Sequence, residues 1–122
     1  RGCAMAMKTN IRTENDNVII SIEGFLDYET TDSLKKELFT LQKNVANNQV
    51  IFDLGALQFV GSSGIAAFVQ TLRDFNTRAG RRPRYTNVKS EFKRIMNAFD
   101  ETGSFDFWDT TERAVNSFQV DN

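Results

Sequence analysis

The residues best suited to a chemical modification are two adjacent serines between glycines, in Gly61-Ser62-Ser63-Gly64. They follow an apolar run and precede an amphipathic segment, so we predict a turn from a β-strand into a helix. The first N–H groups of a helix lack intrahelical partners, and this end is partly positive. A phosphate on a serine there would add about −1.5 to −2 charge and three acceptor oxygens. The competing interpretation is a simple helix N-cap, which contributes about 1 kcal/mol.

Catalytic motifs are absent from the 122 residues. There is no histidine, which excludes Ser-His-Asp and Cys-His catalysis and most transition-metal sites. Neither a GxxxxGK[ST] phosphate loop nor a GxGxxG dinucleotide fingerprint occurs,. We therefore predict a protein that is not an enzyme and that needs no cofactor or metal.

Length, charge and cysteine content favour one cytoplasmic domain. The formal net charge of −1 gives no overall attraction to nucleic acid or to an acidic membrane surface,. No apolar run approaches the roughly 20 residues of a membrane-spanning helix. We interpret residues 1–6 as a cloning remnant and residues 7–122 as the domain. Cys3 is the single cysteine and forms no internal disulfide, as expected in the cytoplasm,.

Apolar periodicity predicts five strands and four helices. The predicted strands are residues 7–14, 18–23, 49–54 with 55–60 as its continuation, 84–86 and 104–108. We expect residues 24–29 to form a loop. The helices carry apolar residues at the spacing of one helix face. These stripes are Leu34, Leu38, Leu41 and Val45; Ile65, Phe68, Val69 and Leu72; Val88, Phe92, Ile95, Met96 and Phe99; and Ala114, Val115 and Phe118.

Polar residues and a glycine predict where the helices begin and end. Thr30 or Thr31, Asn87 and Thr110 are the expected N-caps of the first, third and fourth helices, and Gly80 is the expected left-handed residue after the second. Strand–helix–strand crossovers favour parallel pairing. We therefore predict an α/β domain with a mixed β-sheet, mostly parallel with an N-terminal antiparallel hairpin, flanked by about four helices.

A second polar segment lies in a position similar to that of the serine turn. Asp27 and Tyr28 come between the second strand and the first helix. Both segments run from one edge of the predicted sheet into a helix, so we expect them to be neighbours and to form a contact surface. The alternative is a purely structural role, in which this segment is a polar turn that positions the helix. A basic cluster is interpreted as a solvated loop: Arg78, Arg81, Arg82 and Arg84,.

Several stretches resemble the motifs of the STAS domain family. Gly24-Phe25-Leu26-Asp27 is similar to its G-x-L-D segment, and residues 50–65 resemble its hydrophobic strand followed by D-S-S-G. Gly61 stands where the family has Asp. Residues 87–99 and 110–115 resemble the C-terminal half of the family, so the resemblance covers nearly everything from Met7 to Phe118.

The resemblance implies a STAS-like fold and the function of an anti-sigma factor antagonist. Such proteins bind a serine-kinase anti-sigma factor and so release a sigma factor. The kinase phosphorylates the first serine of the motif, and a metal-dependent serine phosphatase removes the phosphate. Carried over, Ser62 is the acceptor and Ser63 the alternative. The implied partner-binding residues are Asp27, Tyr28, Gly61, Ser62, Ser63 and Gly64.

Two alternatives stay open at this point. Gly61 removes a negative charge beside the hydroxyl, which leaves room for a STAS scaffold that is not phosphorylated. The second alternative is a module that binds a nucleotide or another anion at the helix N-terminus. For the oligomeric state, we expect a monomer or a weak dimer.

Overall fold

The computed structural model describes residues 7–14, 16–45, 48–59, 64–100, 103 and 105–120. Its elements, in chain order, are β1 (Met7–Glu14), β2 (Asn17–Leu26), α1 (Tyr28–Val45), β3 (Gln49–Asp53), β4 (Leu57–Phe59), α2 (Ile65–Arg78), β5 (Arg84–Thr86), α3 (Ser90–Phe99), β6 (Asp106–Trp108) and α4 (Thr111–Val120). Within these ranges, no helix combines the length and the hydropathy needed to cross a bilayer.

One mixed sheet organises the domain. Its strand order is β1-β2-β3-β5-β6, and β4 pairs with β2 outside this path. The hairpin β1–β2 is antiparallel, with Ile11 opposite Ile20, and every other pairing is parallel. The predicted α/β architecture, with an N-terminal hairpin and four helices, is confirmed.

The second strand is longer than its sequence predicts, because it has two partners in succession. Residues 17–21 of β2 pair with β3, and residues 24–26 pair with β4. The predicted loop over residues 24–29 is therefore wrong. Gly24 has a φ of 103° and donates its N–H to the carbonyl of Ala56 at 3.0 Å. This left-handed backbone conformation is one that glycine adopts without steric cost.

Residues 55–59 do not continue β3 as predicted, and residue 60 lies outside the described part of the chain. A turn separates β3 from β4, and in it the N–H of Leu57 donates to the carbonyl of Leu54 at 3.2 Å. The side chain of Asp53 accepts the N–H of Gly55 at 3.0 Å. β4 is thus a strand of its own, parallel to the end of β2. The predicted strand over residues 104–108 is also shorter, because β6 pairs only with the three residues of β5.

The helices pack on both faces of the sheet. Helices α1, α2 and α3 share one apolar cluster with the sheet. Helix α4 covers the opposite face, where Ala114 and Val115 pack with Ile19 and Ile51. The predicted helix stripes supply buried core residues: Leu34, Leu38, Val45, Ile65, Phe68, Val69, Leu72, Phe92, Met96, Ala114 and Val115. Phe99 is an exception, since 47% of it is exposed.

Helix termini were predicted less well than helix faces. Lys89, and not Asn87, is the N-cap of α3, and it makes no side-chain capping bond. Asn87 has a φ of 59° instead. Gly80 is not left-handed: α2 ends at Ala79 in an extended conformation, with φ −72° and ψ 140°. Thr110 does cap α4, since its hydroxyl oxygen accepts the N–H of Arg113 at 3.1 Å.

Aromatic rings fill the centre of the main core. Phe52 on β3 stacks on Tyr85 of β5, with ring centroids 5.0 Å apart, and meets Phe75 of α2 edge-on at 5.1 Å. Tyr85 in turn meets Phe105 edge-on at 5.1 Å. Its hydroxyl donates to Asn76 Oδ1 at 2.7 Å, and burial raises its pKa well above the usual value. Phe52 therefore links two strands and a helix.

Truncation of the central ring tests this packing. We expect Phe52→Ala to lower the free energy of unfolding by about 3–5 kcal/mol, because a fully buried ring leaves a cavity,. The matched control is Phe99→Ala on α3, which we expect to change stability by less than about 0.5 kcal/mol because that ring is half exposed. Urea unfolding followed by circular dichroism measures both. Equal effects of the two variants would contradict this assignment of the core.

Candidate functional site

Two neighbouring strands end together at one edge of the sheet. Leu26, the last residue of β2, is the register partner of Phe59, the last residue of β4. From Leu26 the chain passes through Asp27 into α1. From Phe59 it passes through residues 60–63 to Gly64 and α2. The predicted site residues Gly61, Ser62 and Ser63 lie outside the described residues.

The N-terminus of α1 is closed by its own side chains. Asp27 Oδ1 accepts the N–H of Thr30 at 2.8 Å, and the N–H of Asp27 donates to Thr30 Oγ1 at 3.0 Å. This is the reciprocal arrangement of a capping box. The hydroxyl of Thr31 adds a bond to the carbonyl of Asp27 at 2.8 Å. The predicted cap at Thr30 or Thr31 is therefore wrong, because Asp27 caps the helix and Thr30 is its partner in the first turn.

Capping fixes the charge of Asp27. The N–H of Thr30, which donates to the carboxylate, lowers the pKa of Asp27 below its usual value of 3.8. Asp27 is therefore ionised at neutral pH. Tyr28 is the first residue of α1, and Glu29 adds a second carboxylate in that first turn. Of the predicted partner-binding residues, Asp27 thus has a structural role that the sequence did not reveal.

The N-terminus of α2 differs from that of α1. Its N-cap is Gly64, which is buried and has no side chain to accept an N–H. The carbonyl of Gly64 accepts the N–H of Phe68 at 2.9 Å. No acidic residue lies in the first turn, so no carboxylate there balances the positive end of the helix dipole. This end of α2 therefore suits an anion better than the corresponding end of α1.

A network at the end of β3 was missed by sequence reasoning. Asp53 Oδ1 accepts hydrogen bonds from the N–H of Gly55 at 3.0 Å and from Asn87 Nδ2 at 3.1 Å. A Cβ on Gly55 would lie 3.1 Å from the Asn87 Cβ, so a larger residue there would force Asn87 to move by a few tenths of an ångström. Thr111 donates to Asp53 Oδ2 at 3.5 Å. Together these bonds hold the turn that leads into β4, and the available signal was an aspartate two residues before a glycine.

Metal binding finds no support in the described ranges, where no group of three or more acidic or cysteine side chains converges. The predicted basic cluster is divided among different contacts. Arg84 lies 3.4 Å from Asp106 and over the ring of Trp108. Arg82 donates to the carbonyl of Gly103 at 3.3 Å. These arginines therefore do not act as one anion-binding group.

The fold is similar to those of known anti-sigma factor antagonists. One is an anti-sigma factor antagonist from Mycobacterium paratuberculosis, with a TM-score of 0.78 and 16% identity over 93% of this chain and 95% of that chain. A variant of RsbS from Moorella thermoacetica gives a TM-score of 0.73 and 19% identity over 93% and 96%. Phosphorylated SpoIIAA from Bacillus gives a TM-score of 0.62 and 19% identity over 91% and 99%.

The family model of the STAS domain matches residues 8–114. This range begins in β1, ends inside α4 and contains the sheet edge from Asp27 to Gly64. Both the G-x-L-D resemblance and the serine motif fall within it. The chain therefore belongs to the STAS domain family.

Proposed function

We propose that this domain is an anti-sigma factor antagonist of the cytoplasm, acting by protein binding and not by catalysis. In this proposal it binds a serine-kinase anti-sigma factor and so releases a sigma factor. Family membership and the anti-sigma factor antagonists of similar fold support the proposal. The observation that carries it is the register of Leu26 with Phe59, which ends β2 and β4 at one sheet edge, directly before Asp27 and directly before the segment that contains the serine motif.

Ser62 is the proposed phosphate acceptor, and Ser63 is the alternative. Ser62 is two residues from Gly64, the N-cap of α2. The first turn of α2 carries no carboxylate to oppose a phosphate, and helix N-termini stabilise anions through N–H groups and the dipole. A phosphate near this end is therefore compatible with the folded domain. A metal-dependent serine phosphatase would restore the free hydroxyl.

Charge explains how phosphorylation would release the partner. The partner-binding surface proposed here includes Asp27, Tyr28 and residues 61–64, and Asp27 is ionised at neutral pH. A phosphate on Ser62 adds about −1.5 to −2 charge to the proposed surface. Burying both anions against a protein surface costs desolvation energy and adds repulsion. A loss of about 3 kcal/mol weakens binding roughly a hundredfold.

Substitutions at Ser62 test the proposed acceptor. With the serine-kinase anti-sigma factor and ATP, we expect wild type and Ser63→Ala to gain one phosphate, and Ser62→Ala to gain none. We expect Ser62→Asp to weaken binding at least tenfold, since it adds about one charge where a phosphate adds nearly two. Mass spectrometry and titration calorimetry measure these outcomes. Binding of Ser62→Asp as tight as that of wild type would refute the charge mechanism.

A substitution at Gly61 tests whether the protein is phosphorylated or is an unphosphorylated scaffold. The variant Gly61→Asp restores the acidic residue of the family motif. If it accepts phosphate while wild type does not, the natural chain is a scaffold that binds without phosphorylation. Nucleotide titration of wild type tests the other alternative: saturable binding that Ser62→Asp abolishes would favour an anion-binding module over a protein-binding one.

A substitution at Asp27 tests whether its ionised side chain, which caps α1, stabilises the fold. Because its folded pKa lies below 3.8, its charge stabilises the fold above that pH, and the contribution is lost as the pH falls through the folded value. We expect Asp27→Asn to lower Tm at neutral pH, and we expect the difference from wild type to shrink as the pH falls from 3.8 through the lower folded pKa,. Asp32→Asn is the control, because Asp32 pairs with the exposed Lys36 and is itself solvent-exposed. A constant Tm difference at every pH would contradict the assignment.

A further inference from the structure

A groove between α1 and α2 has the chemistry of a docking surface. We propose that it binds an acidic amphipathic helix of a partner protein, independently of the serine segment. Its main cavity has a volume of about 570 Å³. The lining residues that the argument uses are Lys35, Lys36, Leu38, Phe39, Phe75 and Arg78.

The floor of the groove is apolar and already formed. Leu38 of α1 and Phe75 of α2 are buried beneath it. Gln42 is buried between the helices, and its Nε2 donates to the carbonyl of Phe75 at 2.8 Å. This bond ties α1 to α2 and fixes the width of the groove. A ligand therefore finds the surface in place and causes little reorganisation, which favours affinity.

Phe39 stands at the wall of this groove with 51% of its surface exposed. Two cations from different helices lie over its ring: Lys43 Nζ of α1 is 5.1 Å from the centroid, and Arg78 Cζ of α2 is 5.2 Å from it. Exposed aromatic rings beside arginine are frequent at the energetic centres of protein interfaces. The ring is thus positioned to pack against an apolar side chain while the cations meet anions around it.

The charge of the groove selects an acidic ligand. Lys35, Lys43 and Arg78 form no ion pair with any residue in the described ranges. The lining carries three cations, Lys35, Lys36 and Arg78, against two carboxylates, Asp32 and Asp74. Asp32 lies 3.5 Å from Lys36, and Asp74 accepts a bond from the neutral amide of Gln70 at 2.9 Å. Lys43, over the ring of Phe39, adds a fourth cation. A domain with a formal net charge of −1 therefore presents a locally basic groove. Complementary charge steers association and fixes orientation.

The shape of the groove favours a helix over a membrane surface. A smaller cavity of about 210 Å³ adjoins the main one and extends along α1 to Thr31 and along α2 to Ala67. The two cavities share Asp32, Lys35, Thr71 and Asp74. From Thr31 to Phe39 the groove follows nine residues of α1, which span about 12 Å at the rise of an α-helix. The ridges of a third helix fit such a groove between two packed helices, whereas a flat bilayer does not reach its floor.

A designed peptide tests the proposal with the whole domain. The probe is a fluorescent helical peptide of about 15 residues, some four turns, with Glu on one face and Leu and Phe on the other. Its control has the same composition in an order that gives no apolar face. Fluorescence anisotropy should show saturable binding of the first peptide, at least tenfold tighter than that of the control. Binding should weaken with added salt, because part of it is electrostatic.

Paired variants locate the binding surface. Phe39→Ala and Arg78→Glu should each weaken the peptide about tenfold. The matched controls on α3, Phe99→Ala and Arg94→Glu, carry the same changes outside the groove and should stay within about twofold. Arg78→Ala serves in case the charge reversal disturbs the end of α2, and thermal unfolding verifies that each variant is folded. Ser62→Asp should bind the peptide as wild type does, which separates this proposal from the proposed function.

Four results would overturn the proposal. They are the absence of saturable binding, equal binding of the control peptide, equal losses in the α3 variants, and preference for vesicles containing phosphatidylserine over the peptide. Analytical sedimentation tests whether a second copy of the chain occupies the groove. If wild type is a dimer and Phe39→Ala is a monomer, the second copy covers the groove and the acidic-helix proposal is wrong.

Discussion

β4 pairs in parallel with the last three residues of β2, placing Gly24 beside Leu57 and Leu26 beside Phe59. This short pairing determines where α1 and α2 begin, because the two segments that lead into these helices leave the sheet from adjacent strands. It depends on the left-handed backbone of Gly24 and on its N–H bond to Ala56. A side chain at Gly24 would strain that conformation. The proposed partner-binding edge therefore depends on a few hydrogen bonds and one glycine.

The two helices that begin at this edge have opposite electrostatic character at their N-termini. Asp27 caps α1 with its own carboxylate, and Glu29 follows in the first turn. Gly64 leaves α2 without a side-chain cap of its own, and the first turn of α2 lacks acidic residues. The first end is neutralised locally, and the second is suited to an anion from elsewhere. This difference is the physical basis for placing the phosphate near α2 and not near α1.

Charge is distributed unevenly between the two surfaces that we propose as binding sites. The domain is close to neutral overall, yet Lys35, Lys43 and Arg78 gather along one groove. Asp53 and Asp27 occupy the sheet edge, where hydrogen bonds hold both carboxylates. A protein that responds to more than one partner needs surfaces that do not compete. The proposed groove and the proposed sheet edge use different residues, so each can be altered by substitutions that leave the residues of the other unchanged.

The buried faces of the helices follow from the sequence alone, as does the mixed α/β sheet. Leu34, Leu38, Phe68 and Leu72 were predicted to be buried because helical periodicity is a local property of the chain. The serine motif and the family resemblance were equally visible, although residues 61–63 lie outside the described part of the structure. The sequence therefore determined the fold class, the four helices and the candidate segment.

Only the tertiary structure decided how the segments meet. Residues 24–26 became strand because β4 pairs with them, and no local signal specifies a distant partner. Asn87 was predicted as a cap but bonds to Asp53, 34 residues earlier in the chain. Phe39 of α1 lines a groove together with Arg78 of α2, because the guanidinium of Arg78 lies over its ring. In each case the deciding contact joins residues far apart in sequence, where periodicity and propensity carry no information.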